Sequence, residues 1–144
     1  MDLQDPTSQM SKSASTDSGI IYLLDDNATI EKKFKRAVTD SDGVVAYDRE
    51  NKPGVSNLLD ILSAATGQSV ETLATSYSQY GPLKKDAGDA VIALVDPIRT
   101  RYHELMADPA ELSRLLMIGN ERARNVAAAT LSRAHKAIVI LPRI

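Results

Sequence analysis

Signals that start and stop helices recur along most of this chain, and they constrain its fold more than any other feature. Asp26 or Asn27 can cap a helix, because a short polar side chain accepts hydrogen bonds from the first free amides. Asp108 followed by Pro109 marks another start, and Gly67 can end a helix in the left-handed conformation. No alternation of strand and helix patterns indicates a parallel sheet. The sequence therefore predicts an all-α fold, a helical bundle of about five or six helices.

The apolar residues of the chain suit such a bundle. Aromatic residues make up only 4% of the chain, with one Phe and no Trp, so Leu, Ile, Val and Ala must form the core. Ile30, Phe34, Ala37 and Val38 recur at the spacing of one helical face, which predicts that they pack inward.

Caps and glycines predict the boundaries of the later helices. One helix is expected from Ser56 to Gly67, and the next from Ser69 to Gly81. The long helix that follows contains Pro97, which removes a backbone hydrogen bond and predicts a kink.

Irregular structure is expected in three places. Residues 1–19 are rich in Ser, Thr, Asp and Gln and predict an irregular loop, and we expect residues 1–20 not to be ordered. The apolar run at residues 19–24 predicts a buried strand or the beginning of a helix. The pair Gly119-Asn120 predicts an interruption before the last helix.

Charge is distributed unevenly along the chain. Residues 1–98 hold 9 Lys/Arg and 15 Asp/Glu, a net charge of −6, whereas residues 99–144 hold 8 Lys/Arg and 4 Asp/Glu, a net charge of +4. A basic segment on an acidic body indicates either a surface that faces a polyanion or a solvated helical face, and charge alone favours the second.

Several kinds of site are excluded by what the chain lacks. It has no cysteine, so disulfides and thiolate metal sites are excluded. His103 and His135 lie far apart in sequence, and the two acids within residues 39–43 favour a turn over a metal loop, so no metal site is predicted. No apolar run approaches the ~20 residues needed to span a bilayer, and the start lacks the apolar core of a signal peptide. We therefore expect a cytoplasmic protein with no membrane partner.

The stretch Ser11-Lys12-Ser13 is the candidate for chemistry. An ammonium group can approach a polyphosphate and stabilise the charge that develops as a phosphorus–oxygen bond breaks, while hydroxyls and backbone amides orient the loop. Taken alone, so short a polar stretch more often has no function. Its meaning therefore depends on the rest of the chain.

Residues after this stretch give it a context. The segment "DPTSQMSKS" (5–13) resembles the KMSKS loop region of class I aminoacyl-tRNA synthetases. Three later segments resemble the C-terminal half of bacterial tryptophanyl-tRNA synthetases, in the same order and with similar spacing. They are "LLDDNATIEKKFKRAVTDSDG" (23–43), "YDRENKPGVSNLLDILSAATGQSVE" (47–71) and "PIRTRYHELM" (97–106). The resemblance covers nearly the whole chain.

The resemblance implies a fold and an activity. It implies a nucleotide-binding Rossmann domain followed by a helical domain that reads the anticodon, activation of tryptophan with ATP and Mg²⁺, transfer to tRNA(Trp), and a homodimer when full length. On this reading, residues 1–24 are the KMSKS-type loop and a remnant of the nucleotide-binding domain. Residues 25–144 are the helical, anticodon-binding domain.

The resemblance also assigns residues. Lys12 is expected to be catalytic at the ATP phosphates, and the remaining members of the ATP loop are Gln9, Met10, Ser11 and Ser13. Gln9 departs from the family, which usually has lysine there, so Lys12 would carry more of the electrostatic work. Six basic residues are candidates for tRNA contacts, although some can instead pair on their own helix, as Arg101 can with Glu104. These six are Lys84, Lys85, Arg99, Arg101, Arg122 and Arg124.

One expected motif is absent from the sequence. The first ATP motif of the family, a HIGH-like sequence, does not occur, and neither does a tryptophan pocket. We therefore expect Met1 to be an internal methionine of a longer protein and the chain to be a C-terminal fragment, inactive alone. The alternative is a stand-alone, non-catalytic helical module that binds tRNA or another partner.

Overall fold

Five α-helices and no strand occur in the residues that the structure, a computed structural model, describes, namely 1–13 and 16–138. The helices are α1 (Asn27–Lys35), α2 (Pro53–Thr66), α3 (Val70–Ser76), α4 (Tyr80–Ala107) and α5 (Pro109–Ala137). The all-α prediction is confirmed. The chain divides into two units, Met1–Thr100 and Arg101–Ile144.

Helix α1 begins as predicted and ends earlier than its apolar pattern suggests. The Asp26 carboxylate accepts a hydrogen bond of 2.6 Å from the Thr29 amide, so Asp26 is the cap. Ile30 and Phe34 are buried. Val38 is 44% exposed, and its prediction as a core residue was wrong because the helix ends at Lys35 and Val38 lies outside its register.

The predicted caps at Gly67, which ends α2, and at Ser69, which begins α3, are confirmed. Helix α2 begins at Pro53 rather than Ser56, since proline fits the first helical position, where no amide is needed. Gly67 ends it with φ of 74°, which confirms the left-handed cap. The Ser69 hydroxyl accepts a hydrogen bond from the Thr72 amide (3.3 Å) and caps α3.

Two glycines that were expected to end or interrupt helices lie inside α4 and α5. Gly81 lies in the first turn of α4 rather than at the end of α3, and α4 continues through Pro97. Helix α5 is unbroken at Gly119 and Asn120, where the prediction of an interruption was wrong. A single glycine costs a helix about 1 kcal/mol, which a helix of 29 residues tolerates.

The N-terminal segment packs on the helices of the first unit. Leu3 is only 1% exposed and Ile20 is 5% exposed, contrary to the expectation that this segment would lack order. The run at 19–24 forms neither a strand nor a helix, and it leaves Leu23 and Leu24 exposed. Leu3 shares one core cluster with residues of α1 to α4, including Ile30, Phe34, Val55, Leu58, Leu59, Leu62, Leu73, Leu83 and Ala87.

Val38 joins this segment to α2 through its backbone. Its amide donates a hydrogen bond of 2.8 Å to the Leu3 carbonyl oxygen. Its own carbonyl oxygen lies so close to buried Gly54 that a Cβ at that position would be 2.1 Å from it. Glycine at 54 is therefore required by close approach of the two backbones.

The second unit contains the end of α4 and helix α5. Asp108 caps α5 by accepting hydrogen bonds from the amides of Ala110 (3.1 Å) and Glu111 (3.0 Å). The Arg114 guanidinium donates two hydrogen bonds to the Glu111 carboxylate, at 2.6 and 2.8 Å. No residue of α5 is buried. Among the described helices, none combines the length and the apolar character that crossing a bilayer requires.

We predict that Gly54→Ala destabilises the first unit by about 1–3 kcal/mol, because the added Cβ meets backbone rather than a flexible side chain. The measurement is urea unfolding followed by circular dichroism. Gly81→Ala is the matched control, since a Cβ there has no atom within 4 Å and alanine favours a helix. Equal stability of the two variants would contradict the prediction.

Candidate functional site

The loop that carries Lys12 is closed at its base by the N-terminal segment. The Leu3 amide donates to the Gly19 carbonyl oxygen at 2.9 Å, and Leu3 itself is buried. The described residues between them, 4–13 and 16–18, therefore belong to a loop whose two ends are held together on the helical core. We call residues 1–3 the stem and residues 4–13 and 16–18 the loop.

Two aspartates shape the first half of the loop. Asp2 Oδ1 accepts hydrogen bonds from the amides of Gln4 (2.7 Å) and Asp5 (3.1 Å). Asp5 accepts from the hydroxyls of Ser8 (2.7 Å) and Thr7 (2.6 Å). The Ser8 hydroxyl, followed by the Thr7 hydroxyl, lowers the pKa of Asp5 below its ordinary value because both stabilise the carboxylate form.

Three of the five predicted ATP-loop residues line a concavity of about 390 Å³, and Met10 and Lys12 do not. Gln9, Ser11 and Ser13 line it, and the Ser11 hydroxyl accepts a hydrogen bond from the Ser13 amide (3.2 Å). Met10 is half-buried and packs against the core cluster, as an anchor would. The Lys12 side chain is exposed and forms no hydrogen bond or ion pair with any described residue.

The Lys12 ammonium is exposed and pairs with no described residue, so it can bind an anion beside the hydroxyls of Ser11 and Ser13. Asp2 and Asp5 also line the concavity, and their carboxylates oppose an anion inside it. Within residues 1–13 and 16–138, no three His, Cys, Asp or Glu side chains are grouped so that they could hold a metal. The assignment of the loop residues to the phosphates of ATP stays a prediction.

Sequence reasoning missed the residue that holds the stem. Asn57 on α2 is 5% exposed, and its Nδ2 donates to the carbonyl oxygens of Met1 (3.3 Å) and Asp2 (3.2 Å). Its Oδ1 accepts from the amino group of Met1 (3.0 Å). No local pattern indicates this contact, because the partners are more than fifty residues apart in sequence.

Three of the predicted tRNA-binding residues lie in the first unit. Lys84 and Lys85 line a groove of about 630 Å³ that Lys35 of α1 also lines. Lys85 pairs with Asp89 at 2.6 Å, whereas partial burial lowers the pKa of Lys84. Lys84 makes no hydrogen bond with the part of the chain that is described.

The Arg99 side chain forms hydrogen bonds within the fold. Its guanidinium donates to the Asp25 carbonyl oxygen, to Asn27 Oδ1 at 2.6 Å and to Asp96 Oδ1 at 2.5 Å. Its side chain is 14% exposed. Arg99 therefore links α4 to the beginning of α1, and its role in binding tRNA stays a prediction.

The other three predicted residues lie in the second unit. Arg101 pairs with Glu104 at 2.9 Å, as the spacing on one helix predicts. Arg122 and Arg124 are exposed on α5, and neither forms a hydrogen bond with the described residues. They are therefore available to an anion.

The acidic stretch at residues 39–43 forms a turn held by a cation. Lys52 Nζ lies 2.5 Å from Asp42 Oδ1 and 3.3 Å from Asp40 Oδ1. The Tyr80 hydroxyl donates to Asp40 and lies 2.9 Å from Asp42 Oδ1. The Lys52 ammonium holds the pKa of Asp42 well below its usual range. These contacts support the turn that the sequence favoured over a metal loop.

Comparison with known proteins gives a consistent result. The family model of class I tRNA synthetases (W and Y) matches residues 1–96. The tryptophan–tRNA ligase of Mycobacterium leprae is 53% identical over 144 residues, covering 99% of this chain and 42% of that protein. That of Corynebacterium glutamicum is 52% identical over 142 residues, covering 97% of this chain and 41% of that protein. The chain thus spans about 42% of the length of the curated relatives it matches.

A solved structure agrees with these relatives. The crystal structure of tryptophanyl-tRNA synthetase from Mycoplasma pneumoniae superposes with a TM-score of 0.82 at 29% sequence identity. The superposition covers 96% of this chain and 42% of that one.

We predict that Tyr80 ionises late in an alkaline titration. Burial, then the hydrogen bonds to Asp40 and Asp42, raises the pKa of Tyr80 from 10.0 to about 12. Because the folded pKa is raised, its contribution to stability is complete below pH 10 and is lost as the pH rises toward 12. The measurement is the ultraviolet absorbance of phenolate in Tyr80→Phe and the parent chain.

The control for this titration is Tyr77→Phe. Burial and the Asp86 carboxylate also raise the pKa of Tyr77 to about 12, so each variant is expected to remove one late-titrating tyrosine. Asp40→Asn is expected to shift the Tyr80 transition to lower pH and to leave that of Tyr77 in place. A titration of Tyr80→Phe identical to that of the parent chain is the contrary result.

Proposed function

The chain belongs to the class I tRNA synthetases for tryptophan and tyrosine, and from this premise we propose that it forms part of a tryptophan–tRNA ligase. The observation that carries the proposal is Lys12, which is exposed and pairs with no described residue, in a chain that is 53% identical to such a ligase. The proposed enzyme activates tryptophan with ATP and transfers it to tRNA(Trp). Because this chain lacks the first ATP motif, we propose that it does not catalyse activation alone.

Lys12 supplies charge in the proposed reaction. Its ammonium, placed beside the ATP phosphates, stabilises the negative charge that develops on phosphate oxygens as a phosphorus–oxygen bond breaks. Gln9, Ser11 and Ser13 offer an amide and hydroxyls that orient the phosphates, and Met10 anchors the loop on the core. The described residues offer no ligand set for Mg²⁺.

The remaining assignments follow from family membership. We propose that residues 1–24 act at the nucleotide and that residues 25–144 recognise tRNA(Trp), with ATP and tryptophan as the other partners. Family membership also supports Mg²⁺ as the companion of ATP, a homodimer when full length, and a cytoplasmic location, where translation takes place. Among the basic residues, Lys84, Arg122 and Arg124 are the best candidates for tRNA contacts, because their side chains form no hydrogen bond with described residues.

We predict that Lys12→Ala lowers tryptophan-dependent exchange of pyrophosphate into ATP by roughly 10²–10³-fold, the effect of losing one transition-state donor. The assay uses a chimera in which this chain replaces the matching segment of the Mycobacterium leprae ligase. Lys32→Ala is the control, because Lys32 is an exposed lysine of α1 outside the loop. An exchange rate of Lys12→Ala within a few fold of the parent chimera would contradict the role of Lys12.

We also predict that the chain binds tRNA(Trp) with an affinity that falls with salt, and that Arg122→Ala reduces the slope of this dependence by about 1. The measurement is filter binding at several salt concentrations. Arg114→Ala is the matched control, since Arg114 lies exposed on the same helix and forms two hydrogen bonds with Glu111. Equal affinity for an unrelated tRNA would exclude specific recognition. Specific binding by a chain whose chimera is inactive would favour the non-catalytic module.

A further inference from the structure

Both polar atoms of the Asn57 side chain form hydrogen bonds with the stem. It lies on α2, is 5% exposed, and forms three hydrogen bonds with Met1 and Asp2. An asparagine amide has two donor hydrogens and one acceptor oxygen, and both kinds of group face the stem backbone here. A buried side chain of this kind fixes the position of the backbone it binds, since a broken bond leaves polar groups unsatisfied.

Hydrogen bonds connect the stem to the loop and so restrain the position of the loop. The Asp2 amide donates to the Ser8 carbonyl oxygen at 2.9 Å, and the Asp2 carboxylate receives the amides of Gln4 and Asp5. Leu3 donates to Gly19 and closes the loop. Each of these hydrogen bonds involves Asp2, which Asn57 binds, or Leu3, the next residue.

Two further contacts restrain the stem and the first loop residue from the segment that follows α1. Gln4 Nε2 donates to the carbonyl oxygen of Arg36 at 3.0 Å, and Val38 donates to Leu3 at 2.8 Å. These contacts restrain the stem from the side of α1, whereas Asn57 restrains it from α2. The helices therefore hold the base of the loop from two directions.

We propose that Asn57 is a positioning residue for Lys12, through which helix α2 sets the place of the phosphate loop. The proposal rests on the proposed role of Lys12 at ATP. Asn57 itself touches neither Lys12 nor the concavity that the loop surrounds; it acts on the stem alone.

Ser56 provides a matched control. It is the preceding residue of α2, is likewise a buried polar side chain, and its hydroxyl accepts a hydrogen bond from the Asp48 amide at 2.9 Å. Its contact faces the connection before α2 rather than the stem. The two substitutions therefore remove buried polar contacts from one helix turn and differ in which segment they release.

The test is amide hydrogen exchange of the full 144-residue chain, measured by NMR. Asn57→Ala is expected to speed exchange at the Leu3 and Val38 amides, which bond to Gly19 and to the stem, by about 10-fold or more. Ser56→Ala is expected to speed exchange at Asp48 and to change Leu3 and Val38 by less than about 2-fold. Asn57→Leu nearly keeps the size of the side chain and removes its donors and its acceptor, so it is expected to act like Asn57→Ala.

Two results would overturn the proposal. One is unchanged exchange at Leu3 and Val38 in Asn57→Leu. The other is acceleration spread equally over core amides such as that of Leu59, which would mean that Asn57 only stabilises the fold. In the chimera, Asn57→Leu is expected to lower kcat for pyrophosphate exchange and to leave the KM for tryptophan unchanged. The exchange of amides requires no activity, so a failure of Lys12→Ala to affect catalysis is distinguishable from a failure of this proposal.

Discussion

The backbone of Val38 lies between the N-terminal segment and α2, and the packing of the first unit depends on this contact. The amide of Val38 holds the Leu3 carbonyl, and its carbonyl oxygen occupies the space that a side chain at Gly54 would take. The close approach lets Leu3 enter a core built by helices that lie far along the chain. Apolar burial of this kind contributes about 1.5–3 kcal/mol for a leucine, and it acts together with the hydrogen bonds that Asn57 and Val38 form with the same segment.

The position of the loop and its chemistry come from different parts of the molecule. Lys12 and its serines bring the charge and the hydroxyls, and they need only a few consecutive residues to do so. The place of the loop comes from Leu3, which is buried, and from Asn57, which binds the stem across more than fifty residues of sequence. A loop whose base is held in this way can be polar and exposed and still keep a fixed position on the core.

The helices could be predicted from the sequence wherever the signal was local and chemically specific. The caps at Asp26 and Asp108 and the left-handed glycine at 67 are of this kind, because each depends on atoms a few residues away. Gly81 and Gly119 misled the prediction, since a glycine that costs a helix little carries no stop signal unless the next residues leave the helix.

The sequence by itself determined the helical class of the fold, the capping residues, the turn near Asp42 and the candidate chemistry of Lys12, because all of these depend on neighbours along the chain. The tertiary structure alone decided that Leu3 is buried, that Arg99 forms hydrogen bonds inside the fold, and that Asn57 binds the stem. These three contacts join residues separated by tens of positions. No periodicity or local motif records which distant surfaces will meet, since that depends on how the whole core packs.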